Sequence, residues 1–187
     1  LLAYGGAGRR ALMFEPTYAL HAQIARGTGT EVVIGERRPD FSIDPDDAAA
    51  LIAQSKPSVV FLCSPNNPTG TLWSREAILK IVEKHADTLI VSDEAYFDYS
   101  NETMLDVLAK HPNLIVMRTF SKLGLAALRC GYLVADEKIA HEIEKIRPPY
   151  NVGTVNQAAA AWLLRNHRDV LKDSVVRVIS ERERLSA

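Results

Sequence analysis

The sequence has little of several features that mark large classes of protein. Its 187 residues include only two cysteines, Cys63 and Cys130, which lack the paired spacing of a zinc site. Its 22 basic and 23 acidic residues leave a net charge of −1, which argues against a nucleic acid or an anionic membrane as partner. We therefore predict a cytoplasmic protein with two reduced core cysteines and no bound metal.

Long apolar runs are also absent, and none approaches the roughly 20 residues that cross a bilayer. The apolar share of 47% instead falls in short runs that alternate with helical patterns, as in a mainly parallel α/β sheet covered on both faces. The connection between the last two runs is too short for a crossover helix, so we expect the final strand to be antiparallel. The pattern predicts a three-layer sandwich with six strands, at residues 11–14, 31–34, 58–63, 88–91, 113–117 and 131–134.

Polar segments follow three of these predicted strands. They are Asn67–Gly70, Asp93–Tyr96 and the pair Ser121 and Lys122. Because parallel strands place their carboxyl ends at one edge of a sheet, we expect the three segments to lie side by side, where α/β sheets bind ligands. A lysine held there among groups suited to a phosphate is a candidate Schiff-base former.

The side-chain types in these segments suit a cationic aromatic ring that carries a phosphate. Asp93 could pair with a protonated ring nitrogen and keep the ring an electron sink, while Asn67 and Tyr96 could hydrogen-bond a ring hydroxyl. Small Ala95 could lie under the ring, and Tyr18 could stack over it. The predicted phosphate ligands are Thr119, Ser121 and Arg129.

The ordered set of motifs resembles the fold-type-I pyridoxal-phosphate aminotransferases, and the resemblance extends over nearly the whole chain. The matching segments are Glu15–Tyr18, Ser64–Gly70, Asp93–Tyr96, Thr119–Tyr132 and Arg147–Val152. Within the superfamily, the lysine loop and the Pro148–Val152 stretch most resemble the histidinol-phosphate aminotransferase subfamily.

The resemblance implies catalytic roles for Lys122, Asp93 and Tyr96, and pyridoxal phosphate as the cofactor. Lys122 would form the Schiff base and then shuttle the substrate proton. The reaction would move an amino group between L-histidinol phosphate and 2-oxoglutarate in a homodimer. Alternatives are another class I/II aminotransferase of aromatic or aspartate type, a decarboxylase or lyase of the same fold, and an aminotransferase-like sensor domain of a regulator.

The resemblance also implies a division of the chain. We expect residues 1–168 to be a partial cofactor-binding large domain, and residues 169–187 to start a helix that leads to a small domain. The site would then lack groups that the family takes from other segments and from the second subunit.

Several residues receive a structural interpretation from the sequence. We expect Thr17 to cap the first helix, Glu94 to be structural because it points away from Asp93, and Trp73 and Trp162 to be packing residues. The histidines are predicted to lie at the surface, at positions 21, 85, 111, 141 and 167.

Overall fold

A computed structural model describes residues 1–186 and contains one six-stranded sheet. Its order is β2-β1-β3-β4-β5-β6, and every neighbouring pair is parallel except the antiparallel pair of β5 and β6. The strands are β1 (Arg10–Glu15), β2 (Glu31–Glu36), β3 (Val59–Cys63), β4 (Leu89–Asp93), β5 (Leu114–Thr119) and β6 (Gly131–Ala135). The predicted mainly parallel α/β sheet with one antiparallel strand is confirmed.

The described chain also contains helices between and after the strands. They are α1 (Leu20–Gly27), α2 (Pro45–Ser55), α3 (Arg75–Lys84), α4 (Glu137–Ile146), α5 (Thr154–Asn166) and α6 (Arg168–Ser186). Side-chain caps begin three of them, because Asp44, Ser74 and Asp136 accept hydrogen bonds from backbone amides in the first turns of α2, α3 and α4.

Two local predictions are wrong. The Thr17 hydroxyl does not cap α1 and instead donates to Asn66 Oδ1 at 2.7 Å. The sequence pattern also predicts a short helix from Met104 to Lys110, but this segment is a series of turns that ends in one 3₁₀ turn, Leu108–Lys110. At Thr17 a contact with a distant segment replaces the local hydrogen bond that the sequence pattern favoured.

Helices cover both faces of the sheet, because alternate strand residues point to opposite sides. On one face, Leu12, Val60 and Ile90 pack with residues of α2 and α3. On the other face, Met13 and Phe61 pack with residues of α1 and α4. The molecule therefore has the predicted three layers.

Aromatic and cysteine side chains test the predicted core. Trp73 is 6% exposed and meets Phe14 edge to face, with ring centroids 5.4 Å apart, whereas Trp162 is 56% exposed. The packing prediction is right for Trp73 and wrong for Trp162. Cys63 and Cys130 are both buried and unpaired, as expected.

No helix within residues 1–186 combines the length and apolar character needed to cross a membrane.

Gly35 allows β2 to pack against β1 and α2. A Cβ added at Gly35 would lie 2.4 Å from Phe14 Cδ1 and 3.0 Å from Leu51 Cδ2. We predict that Gly35→Ala lowers the free energy of unfolding by about 1–3 kcal/mol through overpacking, as measured by urea denaturation. Gly27→Ala is the matched control, because a Cβ there meets nothing within 4 Å. Equal stability of the two variants would contradict the prediction.

Candidate active site

A cavity of about 830 Å³ lies at the carboxyl ends of β3, β4 and β5. Its volume falls in the range typical of small-molecule sites. All nine residues that the sequence predicted for the site line it: Tyr18, Asn67, Asp93, Ala95, Tyr96, Thr119, Ser121, Lys122 and Arg129. The structure thus brings these side chains together, while their individual roles stay predictions.

The register of the sheet explains the convergence. Cys63 is paired with Asp93, and Asp93 with Met117, so the three strands end at nearly the same level. The Ser64 amide donates to the Asp93 carbonyl at 3.0 Å, and the Glu94 amide donates to the Met117 carbonyl at 2.9 Å. These bonds extend the ladder into the polar loops and fix where their side chains begin.

Asp93 is a buried carboxylate at the base of the cavity. Its Oδ1 accepts a hydrogen bond from the Ala95 amide at 3.0 Å, and its Oδ2 lies 3.2 Å from His21 Nε2. The His21 ring is itself held in place by stacking on Phe61, with centroids 4.2 Å apart. These contacts offset the cost of burying a carboxylate and fix its orientation.

The surface prediction is wrong for His21, which is buried. His21 shares the inward face of α1 with Ala22 and Ala25, and this face packs against the sheet. The helical spacing of these residues was a usable signal, since a side chain next to Ala22 and one turn before Ala25 belongs to the apolar stripe.

Cys63 completes a compact group with these two side chains. Its Sγ lies 3.8 Å from His21 Nδ1 and 3.9 Å from Asp93 Oδ2. Burial, together with the negative charge of Asp93, raises the pKa of the Cys63 thiol to about 12. The three residues offer potential metal-ligand atoms that all lie within 4.8 Å of one another. The absence of a metal stays a prediction.

Two cations in the cavity have no acidic partner within residues 1–186. Lys122 lies in the 3₁₀ turn Ser121–Leu123, here called the lysine turn, and its Nζ is 5.1 Å from the centre of the Tyr96 ring. Arg129 has the left-handed backbone angle φ of 51°, which is uncommon for a non-glycine residue. By contrast, Arg118 and Arg147 in the same cavity are paired with Glu94 and Glu144. The positive charge on Lys122 and Arg129 therefore suits an anionic ligand.

The neutral polar groups around these cations differ in whether they already form hydrogen bonds within the protein. The side chains of Tyr18, Asn67, Tyr96 and Ser121 form no hydrogen bond with any residue in 1–186, and are available to a ligand. The Thr119 hydroxyl is engaged, because it donates to the Cys130 carbonyl at 3.3 Å and accepts from the Ser121 amide at 3.1 Å. Thr119 therefore shapes the lysine turn whatever else it binds.

Asn66 is a buried residue that the sequence interpretation did not single out. Besides its bond from Thr17, its Nδ2 donates to the Pro16 carbonyl at 3.0 Å and to Thr69 Oγ1 at 2.7 Å. It thereby joins the loop that carries Asn67 to the segment that carries Tyr18. The sequence offers no signal for this role, because either of two adjacent asparagines suits a turn.

The strand ends of this α/β sheet bring a lysine, an arginine and a buried aspartate into one cavity. Such an arrangement is typical of a ligand-binding site in an α/β enzyme. The profile of the family described as aminotransferase class I and II matches residues 1–187, and the chain belongs to this family. The histidinol-phosphate aminotransferase of Streptomyces avermitilis is 43% identical over 192 residues. That match covers 100% of this chain and 52% of the relative, so the chain spans about half the length of the curated relatives it matches.

Solved structures have the same fold. The histidinol-phosphate aminotransferase of Sinorhizobium meliloti, in complex with pyridoxal-5'-phosphate, superposes with a TM-score of 0.87 at 28% identity, covering 96% of this chain and 50% of that one. The L-threonine-O-3-phosphate decarboxylase of Porphyromonas gingivalis superposes with a TM-score of 0.73, also at 28% identity, covering 87% of this chain and 51% of that one.

The buried thiol generates a prediction about pH. Because its native pKa of about 12 lies above the usual value of 9.0, burial of protonated Cys63 contributes stability that is complete below about pH 9. This contribution is lost as the pH rises from 9 towards 12. We expect Cys63→Ala to reduce the fall in unfolding free energy between pH 8 and pH 10.5, measured by urea denaturation at each pH.

Cys130→Ala, which removes the other buried thiol, is the control and should retain the wild-type fall. An equally steep fall in the Cys63→Ala variant would show that another group is responsible for the alkaline destabilisation.

Proposed function

We propose that the full-length protein is a pyridoxal-phosphate-dependent aminotransferase that exchanges an amino group between L-histidinol phosphate and 2-oxoglutarate. The observation that carries the proposal is the convergence of the nine site residues, from loops after different strands, on one cavity. Membership of the aminotransferase family supports the reaction class, and the identity to histidinol-phosphate aminotransferases supports the substrate.

The chemistry of the cavity fits this cofactor. Unneutralised Lys122 and Arg129 match an aldehyde and a phosphate, whereas the buried Asp93 carboxylate matches a protonated ring nitrogen. Hydroxyl and amide groups without protein partners remain for the other oxygens of the ligand. Both the charges and the hydrogen-bonding groups therefore agree with the group that the family uses.

Pyridoxal phosphate supplies an electron-withdrawing ring that acidifies the α-carbon of an attached amino acid. Asp93 would hold the proton on the ring nitrogen, and Asn67 and Tyr96 would hydrogen-bond the ring oxygen. Ser121 and Arg129 would bind the phosphate, together with Thr119 if its hydroxyl turns away from the Cys130 carbonyl. Tyr18 and Ala95 would pack on the two faces of the ring.

Lys122 would have two tasks in the reaction. Its Nζ would hold the cofactor covalently and, once released by the incoming amine, would accept and return the proton of the substrate α-carbon. A lysine suits both tasks because its flexible stem allows the amine to move between positions. The contact of Nζ with the Tyr96 ring places the amine on the side of the cavity where Tyr96 lies.

The organisation of the whole protein is part of the proposal. Helix α6 begins at Arg168, which agrees with a division into a large-domain part over residues 1–168 and the start of a connecting helix over residues 169–187. We propose a homodimer in which the second subunit and a small domain complete the enclosure of the cavity. The cytoplasmic location stays a prediction.

Decarboxylation is the second candidate reaction. The L-threonine-O-3-phosphate decarboxylase shares the fold and is as identical to this chain as the Sinorhizobium aminotransferase is. This match favours retaining decarboxylation as an alternative. Both reactions use the same electron sink, so Lys122 and Asp93 do not separate them. The higher sequence identity to histidinol-phosphate aminotransferases makes transamination the preferred proposal.

The role of Lys122 is tested by Lys122→Ala in the full-length protein. We expect loss of the borohydride-stable pyridoxyl label, detected by mass spectrometry, and a fall in kcat of about 1,000-fold or more, because both the covalent bond and the proton carrier are removed. Lys110→Ala, which changes an exposed lysine outside the cavity, is the control. A label retained at full stoichiometry in Lys122→Ala would refute the assignment.

Substrate choice is tested by an amino-donor screen on the full-length protein. We expect histidinol phosphate to give a kcat/KM at least about 100-fold above those of phenylalanine and aspartate, since a site that binds a polar substituent strongly rejects donors that lack it. Carbon dioxide release from O-phosphothreonine is measured in parallel. A preference for an aromatic or dicarboxylic donor would overturn the proposed substrate, and carbon dioxide release would overturn the reaction.

A further inference from the structure

Tyr99 touches the lysine turn from a neighbouring loop. It ends the 3₁₀ turn Phe97–Tyr99 after β4, and its hydroxyl donates a hydrogen bond to the backbone carbonyl of Lys122 at 2.6 Å. The two residues are 23 positions apart in the sequence. This bond therefore joins the loop after β4 directly to the residue that would hold the cofactor.

The base of the loop that carries Tyr99 is fixed by Glu94. The Glu94 side chain is 1% exposed, and its Oε2 accepts from Arg118 Nε at 3.0 Å and from Arg118 Nη2 at 2.8 Å. Thr103 Oγ1 donates to the same oxygen at 2.8 Å, and the Met104 amide donates to Oε1 at 2.8 Å. Both ends of the 94–104 segment are thereby held on one buried carboxylate.

Arg118 connects Glu94 to strand β5, which leads to Lys122. It lies on β5, four residues before Lys122, and its guanidinium carbon is 3.6 Å from the centre of the Phe97 ring. Because Phe97 opens the turn that Tyr99 closes, the stacked pair fixes the direction from which Tyr99 approaches. The tyrosine hydroxyl is thus a preorganised donor.

The lysine turn needs such a donor. Within residues 1–186 the Lys122 carbonyl oxygen has no other hydrogen bond, and the turn continues into Gly124, whose φ of +85° favours glycine. Burial and the nearby Asp98 raise the pKa of the Tyr99 hydroxyl, which keeps it protonated and able to donate. Without this bond, the peptide plane after Lys122 would lose its only fixed partner.

We infer that Tyr99 is a positioning residue that fixes the Lys122 backbone, and through it the place of the Lys122 amine in the cavity. The inference rests on the proposed function, because it assigns a cofactor-holding role to Lys122. The orientation of a reacting group strongly affects the rate of bond formation, so loss of one positioning hydrogen bond should slow the chemistry more than it weakens binding.

The test is Tyr99→Phe in the full-length protein, which removes one oxygen and keeps the ring. We expect amide hydrogen exchange over residues 119–125 to be about threefold to tenfold faster in the cofactor-free protein, in line with the loss of one hydrogen bond. Capture of pyridoxal phosphate on Lys122, trapped with borohydride and followed by mass spectrometry, should slow by a similar factor. The value of kcat should fall about as much, with KM within about twofold of wild type.

Tyr4→Phe is the matched control, because Tyr4 does not line the cavity and its hydroxyl makes no hydrogen bond within the described chain. It should leave exchange, capture and kcat unchanged. A merely structural role for Tyr99 would lower global stability without separating kcat from KM, so urea denaturation of both variants is measured as well.

The outcomes separate this inference from the proposed function. If wild-type protein captures pyridoxal phosphate on Lys122 and Tyr99→Phe matches it in capture and in exchange, the positioning role is overturned while the proposed function stands. If wild-type Lys122 captures no cofactor, the proposed function fails, and the positioning inference, which requires a cofactor-holding lysine, fails with it.

Discussion

The parallel register of β3, β4 and β5 is the constraint on which the rest of the site depends. It places Cys63 beside Asp93 and Asp93 beside Met117, so the loops that carry Asn67, Tyr96 and Lys122 leave the sheet together. A slip of one residue in β4 would turn Asp93 towards the opposite face, away from α1 and His21. The buried strands resist such a slip, because it would also move Val91 out of its apolar layer.

Two adjacent carboxylates at the end of β4 face different surroundings. Glu94 faces Arg118 and is fully occupied by hydrogen bonds that hold the following loop. Asp93 faces the cavity and is contacted by a histidine ring and a backbone amide, with no arginine or lysine paired to it within residues 1–186. A ligand group that carries positive charge can therefore pair with Asp93 without displacing an arginine or a lysine.

The sequence was sufficient for those features that depend on pattern and order. Strand positions, the antiparallel last strand and the convergence of the site residues all follow from apolar runs and from the rule that parallel strands end at one edge. The burial of His21 was missed although its helical spacing with Ala22 and Ala25 was a signal for it. The bond from Thr17 to Asn66 was missed because it joins residues 49 positions apart, whose approach no local pattern encodes. The Tyr99 contact with Lys122 belongs to the same class.

The fold and the proposed cofactor-binding residues do not distinguish transamination from decarboxylation. In the proposed function, Asp93, Asn67, Tyr96 and Arg129 would all bind groups of the cofactor, which a decarboxylase and an aminotransferase use alike. Discrimination needs contacts that differ between the two substrates at the transition state. A second cavity of about 620 Å³ shares Asn67, Tyr96 and Lys122 with the first and is bordered by Val178 and Arg182 of α6. If the cofactor uses the shared side chains, as proposed, then substrate groups would contact residues beyond them, and the contacts that separate the two reactions would lie at that outer boundary of the cavity.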